Sequence, residues 1–259
     1  MKISVVIISF NEAKHIAACI HSVQRISDDI LVIDAGSTDG TQAIATSLNA
    51  RCLSKPWTSY AAARNFGATH ALNNWILNLD CDERFVSPAT GRIDLDGEGA
   101  TIYGFRRVNK YGYQSFRFGC LGREKVWRLY NRLYTSWNNV PVHEMLVQGK
   151  RELLEEAQVM HEAISDWNSY KAKRMHYAML CARKYFQAGK RVFVLLPFLA
   201  AVFYFLKDYI FLIGFLDGMA GWKVAIINSK YTFRKYAILY QLQHEQKNSL
   251  MPMPHLSES

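Results

Sequence analysis

No CxxC pair occurs among the five cysteines, and their number is odd. Both facts point away from a disulfide framework or a zinc site and toward reduced thiols in a cytosolic setting. The N-terminus enters a strand-like run with no basic segment and no small-residue cleavage site, so a signal peptide is not expected. No apolar stretch reaches the roughly 20 residues that a bilayer-spanning helix needs. The longest, 192–206, has fifteen uncharged residues and contains Pro197, and Lys207 and Asp208 end it. Internal repeats and low-complexity tracts are also missing. So is a glycine- and base-rich phosphate loop after the first strand-like run, where Ser9-Phe10-Asn11-Glu12 stands, which counts against a nucleotidyltransferase.

What is present is unevenly charged. The net charge of +9 arises almost wholly after residue 170: residues 1–170 hold 18 Lys/Arg against 18 Asp/Glu, whereas residues 171–247 hold 13 against 3. A basic, apolar tail of this kind suits an anionic membrane surface better than nucleic acid. Helices lying in the membrane interface, peripheral or monotopic, are the first expectation for 166–247. A helical homo-oligomer interface is the competing one. Residues 248–259 read as a disordered tail.

The first half alternates strands and helices. Runs 3–8, 30–33 and 75–79 are apolar enough for buried parallel strands, with helices expected over about 12–24, up to Leu48, and 58–72. This predicts an α/β fold with a mostly parallel, Rossmann-like sheet. Residues 1–165 form one expected domain, in which 1–85 carry the strand-end crevice. Residues 86–165, with aromatic strands at 101–108 and 124–131, would hold a second substrate. Residues 139–144 read as a short segment on or beside the sheet.

Four aspartates, Asp34, Asp39, Asp80 and Asp82, stand where strand-like runs stop. Carboxylates there face the crevice in which open α/β sheets bind ligands. Gathered negative charge is costly unless a cation meets it, and a divalent metal carrying a nucleotide diphosphate is the simplest occupant. Asp34 and the following Gly-Ser-Thr-Asp-Gly turn suit a base and its ribose, and Asp39 suits a helix N-cap. Ser9, Asn11 and Glu12 line the same crevice or simply start the next helix. Arg64 offers a cation to phosphate, or is a solvated surface arginine. Cys81, between two carboxylates, reads as a spacer rather than a nucleophile.

Four successive segments carry a family resemblance: Val5 to Glu12, Val32 to Thr41, Ala62-Ala63-Arg64-Asn65, and Trp75 to Glu83. They look like the signatures of glycosyltransferase family 2, whose members have a GT-A fold, use a nucleotide-sugar with Mg2+ or Mn2+, and invert the anomeric centre. Trp127 to Asn131, Pro141-Val142-His143-Glu144 and Phe215 to Gly221 are similar to the bacterial branch of lipopolysaccharide core β-1,4-glucosyltransferases. Phe10 and Arg64 depart from the commoner residues. The resemblance implies that Asp34 contacts the base, that Asp39 and Asp80 serve the nucleotide, and that Asp82, with Asp80, holds the metal. Inversion needs a base and no protein nucleophile. Glu144 is the candidate, with His143 to orient it, bind metal or act instead, and Arg128 to neutralise phosphate.

The resulting expectation is a metal-dependent inverting transferase at the cytoplasmic face of the inner membrane. It would move a hexose, glucose by analogy, from a UDP-linked donor to a lipid-anchored glycan such as lipopolysaccharide inner core. Another lipid-linked or exopolysaccharide acceptor is an alternative. A non-catalytic, membrane-associated nucleotide-binding protein is another.

Overall fold

The structure is a computed structural model that describes residues 2–86, 100–138 and 144–249. It divides into two compact units, Met1–Lys110 with Arg123–Ala163, and Tyr111–Gly122 with Ile164–Ser259. The helical unit therefore takes a segment, 111–122, that the sequence assigned to the acceptor half.

The first unit is built on β1 (Ile3–Ser9), α1 (Ile16–Val23), β2 (Asp29–Asp34), α2 (Thr41–Ser47), β3 (Arg51–Ser54), α3 (Tyr60–His70) and β4 (Trp75–Asp80). It continues through β5 (Glu83–Val86) and β6 (Ile102–Tyr111). A two-residue strand β7 (Gln114–Ser115) belongs to the second unit; β8 (Lys125–Asn131) and β9 (Arg151–Ile164) complete the sheet. Strand order is β3-β2-β1-β4-β8-β6-β9-β5. The first four strands are parallel, and β8 joins β4 antiparallel. This is the α/β architecture that the sequence pattern predicts, with a mixed sheet: parallel over β1 to β4, antiparallel where β8 joins β4 and β6 and where β5 joins β9.

The alternation of a strand explains both faces. Val5, Ile7, Val32 and Leu77 pack with Ile16 and Ile20 of α1 on one side. Val6, Ile8, Leu31 and Ile76 pack with the alanines of α3 on the other. A sheet covered on both faces needs continuous apolar runs, which is why these strands read so clearly. The alanine-rich α3 lies close: a Cβ at Gly67 would stand 2.3 Å from Val6 Cγ1 and 3.0 Å from Ile33 Cγ1. Gly67→Ala is therefore expected to cost about 1–3 kcal/mol through overpacking. Urea unfolding midpoints would show it, and an unchanged midpoint would mean that α3 is free to retreat.

The sequence missed β9 altogether, and residues 139–143, 87–99 and 250–259 lie outside the described residues. Helix α1 starts at Ile16 rather than near 12, because the chain first makes a rim loop described below. In the second unit, Asp166 caps α4 (Trp167–Gln187) by accepting from Asn168 N and Ser169 N at 2.9 Å each. Next come α5 (Leu196–Phe205), a π turn (Leu206–Phe211), a 3-10 turn (Gly214–Asp217) and α6 (Gly218–Ser249), which outlasts the helical region expected to end at 247.

The residues that break the apolar run have a structural task. Asp208 is 3% exposed and accepts from Cys120 N at 2.5 Å. Asp217 accepts from Arg117 N and Phe118 N at 3.1 and 3.0 Å. Two buried carboxylates thus hold the segment 111–122 by its backbone.

Candidate active site

At the carboxyl ends of β1 and β2, two loops are stitched into one rim. Asn11 takes a left-handed backbone, φ 53°, which asparagine tolerates. Its N–H donates to Ser37 Oγ at 2.8 Å, and its Oδ1 accepts from Thr38 N at 2.9 Å. Glu12 N donates to Thr41 Oγ1 at 2.9 Å, and Ala13 N donates to Asp39 Oδ2 at 2.9 Å. Asp39 also accepts from Thr41 N at 3.1 Å, so it bridges the loops instead of capping α2; Gly40, at φ 92°, holds the cap position.

Asp34 is fully buried behind this rim. Its oxygens accept from Ser9 Oγ (3.0 Å), Gly36 N (2.9 Å), Ser37 N (2.8 Å), Ser37 Oγ (2.5 Å) and Gln42 Nε2 (2.6 Å). Burial pushes its pKa up, but the Ser37, Gln42 and Gly36 donors outweigh that and hold it below the ordinary value. All of these donors come from the chain itself, so the Asp34 carboxylate shapes the loop from within, and Ser9 is one of its donors.

At the end of β4 the geometry differs from a bare acidic rim. Arg64 is only 2% exposed, so it is no surface arginine. Its Nη2 lies 2.8 Å from Asp80 Oδ1 and its Nη1 2.5 Å from Glu144 Oε1, and its guanidinium stacks 4.5 Å from the Trp137 ring. Asn65, the next residue on α3, fixes that tryptophan by exchanging hydrogen bonds with its backbone. Arg128, pointing inward from β8, holds Asp80 Oδ2 at 2.8 Å. Arg107 of β6 holds the fully buried Glu83 at 2.8 Å. Burial would raise the Asp80 pKa, but Arg128, then Arg64 and Arg107, hold it far below the carboxylate range.

Arg107 also lies 3.4 Å from Glu124 Oε1, so three guanidinium groups face four carboxylates, Asp80, Glu83, Glu124 and Glu144, and the cluster has no surplus positive charge. Each of Arg64, Arg107 and Arg128 nevertheless keeps a buried Nε–H with no acceptor among the described residues. Unsatisfied buried donors are costly.

Asp82 stands apart from this cluster. Its Oδ2 lies 3.3 Å from Nε2 of His161, a β9 residue that sequence reasoning missed. Asn109 Nδ2 donates to Glu124 Oε2 at 2.8 Å, which turns its Oδ1 toward His161 Nδ1 at 2.7 Å. Nδ1 must then be the donor. A neutral ring would leave Nε2 as an acceptor facing the acceptor Oδ2, an arrangement that calls for a proton or a metal cation between them. Burial raises the Asp82 pKa, and the hydrogen bond and charge of His161 overcome it, so the group stays below its ordinary value.

Among the described residues no three His, Cys, Asp or Glu side chains cluster as a complete metal site. A metal brought with a diphosphate needs only one or two protein ligands, and Asp82 with His161 meets that requirement. Asp80 fits it poorly, since arginines hold both its oxygens. Cys81 is buried, and burial first, then Glu12 and Asp82, push its thiol well up, in keeping with a spacer. Candidate His143 lies outside the described residues.

The family described as Glycosyl transferase family 2 matches residues 4–157. The chain belongs to that family. An uncharacterized glycosyltransferase of Rickettsia felis is 28% identical over 95% of this chain and 92% of its own. The lipopolysaccharide core biosynthesis glycosyltransferase LpsC of Rhizobium meliloti is 28% identical over 93% of each chain. Among solved structures, glucosyl-3-phosphoglycerate synthase of Mycobacterium tuberculosis, crystallised with Mn2+, UDP and glucosyl-3-phosphoglycerate, aligns at a TM-score of 0.33 and 24% identity. That alignment covers 43% of this chain and 45% of the other.

Proposed function

We propose that this family 2 glycosyltransferase moves a hexose, glucose, from a UDP-linked donor to a lipid-anchored bacterial glycan such as lipopolysaccharide core, inverting the anomeric centre. The observation that carries the donor half is the pairing of Asp82 with His161 beside three arginines that each keep an unused buried N–H. The acceptor half draws on the full-length likeness to a lipopolysaccharide core transferase. The enzyme works at the cytoplasmic face of the inner membrane.

Asp82 and His161 would hold a divalent metal, Mg2+ or Mn2+, whose chemistry when bound is to neutralise the departing diphosphate. The chain's own residues do the rest. Because the arginine cluster is already balanced by carboxylates, it has no surplus charge for a free diphosphate, so a donor arriving with its own cation is the one it accepts. Phosphate oxygens compete with Asp80 and Glu144 for the Nη donors of Arg64 and Arg128. Glu144, freed from Arg64, then takes the proton of the acceptor hydroxyl, a role that contributes about 10²–10⁴-fold. The rim of Asn11, Ser37 and Asp39 receives the nucleoside.

Calorimetric titration with UDP tests this reading. Binding that appears only with manganese or magnesium is expected. Equal binding in EDTA would remove the Asp82–His161 assignment.

A further inference from the structure

We propose that α5 and the turns after it form a wedge that enters the headgroup and acyl boundary of an anionic bilayer. This deepens the membrane location given above and rests on it, but it needs none of the proposed chemistry.

The wedge follows from the placement of side chains. Leu195, Phe198, Leu199, Val202, Phe203 and Leu206 recur at helical spacing and are all exposed, Phe198 at 60% and Phe203 at 62%. They make one stripe along α5. The opposite face, with Pro197, Tyr204 and Asp208, turns into the unit. The stripe continues past the π turn through Phe211, 69% exposed, and then Phe215 and Met219. A water-soluble surface rarely leaves so long an apolar band uncovered.

Its shape sets the depth. Among the described residues no single helix is long and apolar enough to cross a membrane. Leu196–Phe211 and Gly214–Glu245 pass that test only as a pair, bent by 72°. A bent pair with its apolar residues along one arm and at the corner suits shallow insertion in the interface plane.

Charge selects the occupant. Residues 171–247 contain only three acids, Asp208, Asp217 and Glu245, and the first two are 3% and 8% exposed and bonded to backbone N–H groups. The charge this unit shows to solvent is therefore nearly all basic. Lys207 lies at the end of the α5 stripe, and Lys223 follows Trp222 beside the corner. A second copy would press two positive surfaces together, whereas anionic headgroups complement them.

Flotation of the full chain on vesicles tests the wedge, using phosphatidylcholine alone and phosphatidylcholine enriched in phosphatidylglycerol, without any glycan. Binding is expected mainly to the anionic vesicles. Phe198→Glu with Phe203→Glu should lower the partition coefficient about a hundredfold or more. Lys207→Gln with Lys223→Gln should lower it about fivefold per lysine on anionic vesicles only. Metal-dependent UDP binding, measured on the same variants, should be unchanged, which shows that the fold survives. The proposal is overturned if the wild-type chain does not float, or if both variants float as it does. It is equally overturned if sedimentation shows a wild-type dimer that the phenylalanine variant dissociates. Because the vesicles carry no acceptor, such a failure leaves the transferase reading to its own test.

Discussion

Replacing Asp82 by alanine is expected to abolish glycosyl transfer while leaving the sheet standing. The carboxylate sits in the tight turn between β4 and β5, partly open to solvent at 29%, and among the described residues its side chain bonds to His161 alone, at 3.3 Å. Its loss removes little packing, so the stability change should stay within about 1 kcal/mol. The catalytic loss is of another order. A cation at a departing diphosphate is worth several kcal/mol, and about 4 kcal/mol is already ~10³-fold in rate. Initial rates with UDP-glucose, read beside a thermal melt, separate the two effects. His161→Gln should behave differently, raising the metal concentration for half-maximal rate about 10–100-fold without abolishing turnover. Full activity in the Asp82 variant would refute the metal-ligand role.

Arg64→Ala is expected to damage stability more than any other single change at the site. Arg64 is buried, and it is the only described partner of Glu144 and one of two cations on Asp80. Removing one member of a buried ion pair costs about 3–5 kcal/mol, because the remaining charge is left in a poor medium. For a chain of this size that corresponds to roughly 6–20 °C in melting temperature. Arg64→Lys keeps the charge but loses the planar fork that reaches two carboxylates at once, so it should recover only part of the loss. In the lysine variant the KM for donor should rise more than kcat falls, which a purely structural arginine would not produce. A melting temperature for Arg64→Ala equal to that of the wild type would show that the network does not hold the site together.

The parallel part of the sheet was legible because buried parallel strands are written in consecutive apolar residues. β1, β2 and β4 need nothing else. β9 was not legible, since its fourteen residues include five charged ones and its burial is irregular. His161 was lost with it. The ion-pair network leaves no local trace either, because its partners are 16, 48 and 80 residues apart. Four strand-end aspartates look alike in sequence, yet the structure gives them distinct settings. Asp34 is a loop organiser, Asp39 a bridge, and Asp80 an arginine partner, while Asp82 faces His161 across the gap a cation would fill. Only the donors around each one distinguish them.

The clasp of Asp208 and Asp217 on the backbone of residues 117–120 lies wholly within the second unit, which is therefore assembled from two separate stretches of chain. Their contacts reach back 88 to 100 residues, into a stretch flanked on both sides by strands of the sheet. During synthesis that stretch must wait for its carboxylates, a long-range closure of the kind that slows folding. A gene cut after residue 165 would leave the amide donors of Arg117, Phe118 and Cys120 orphaned rather than yield a tidy minimal enzyme.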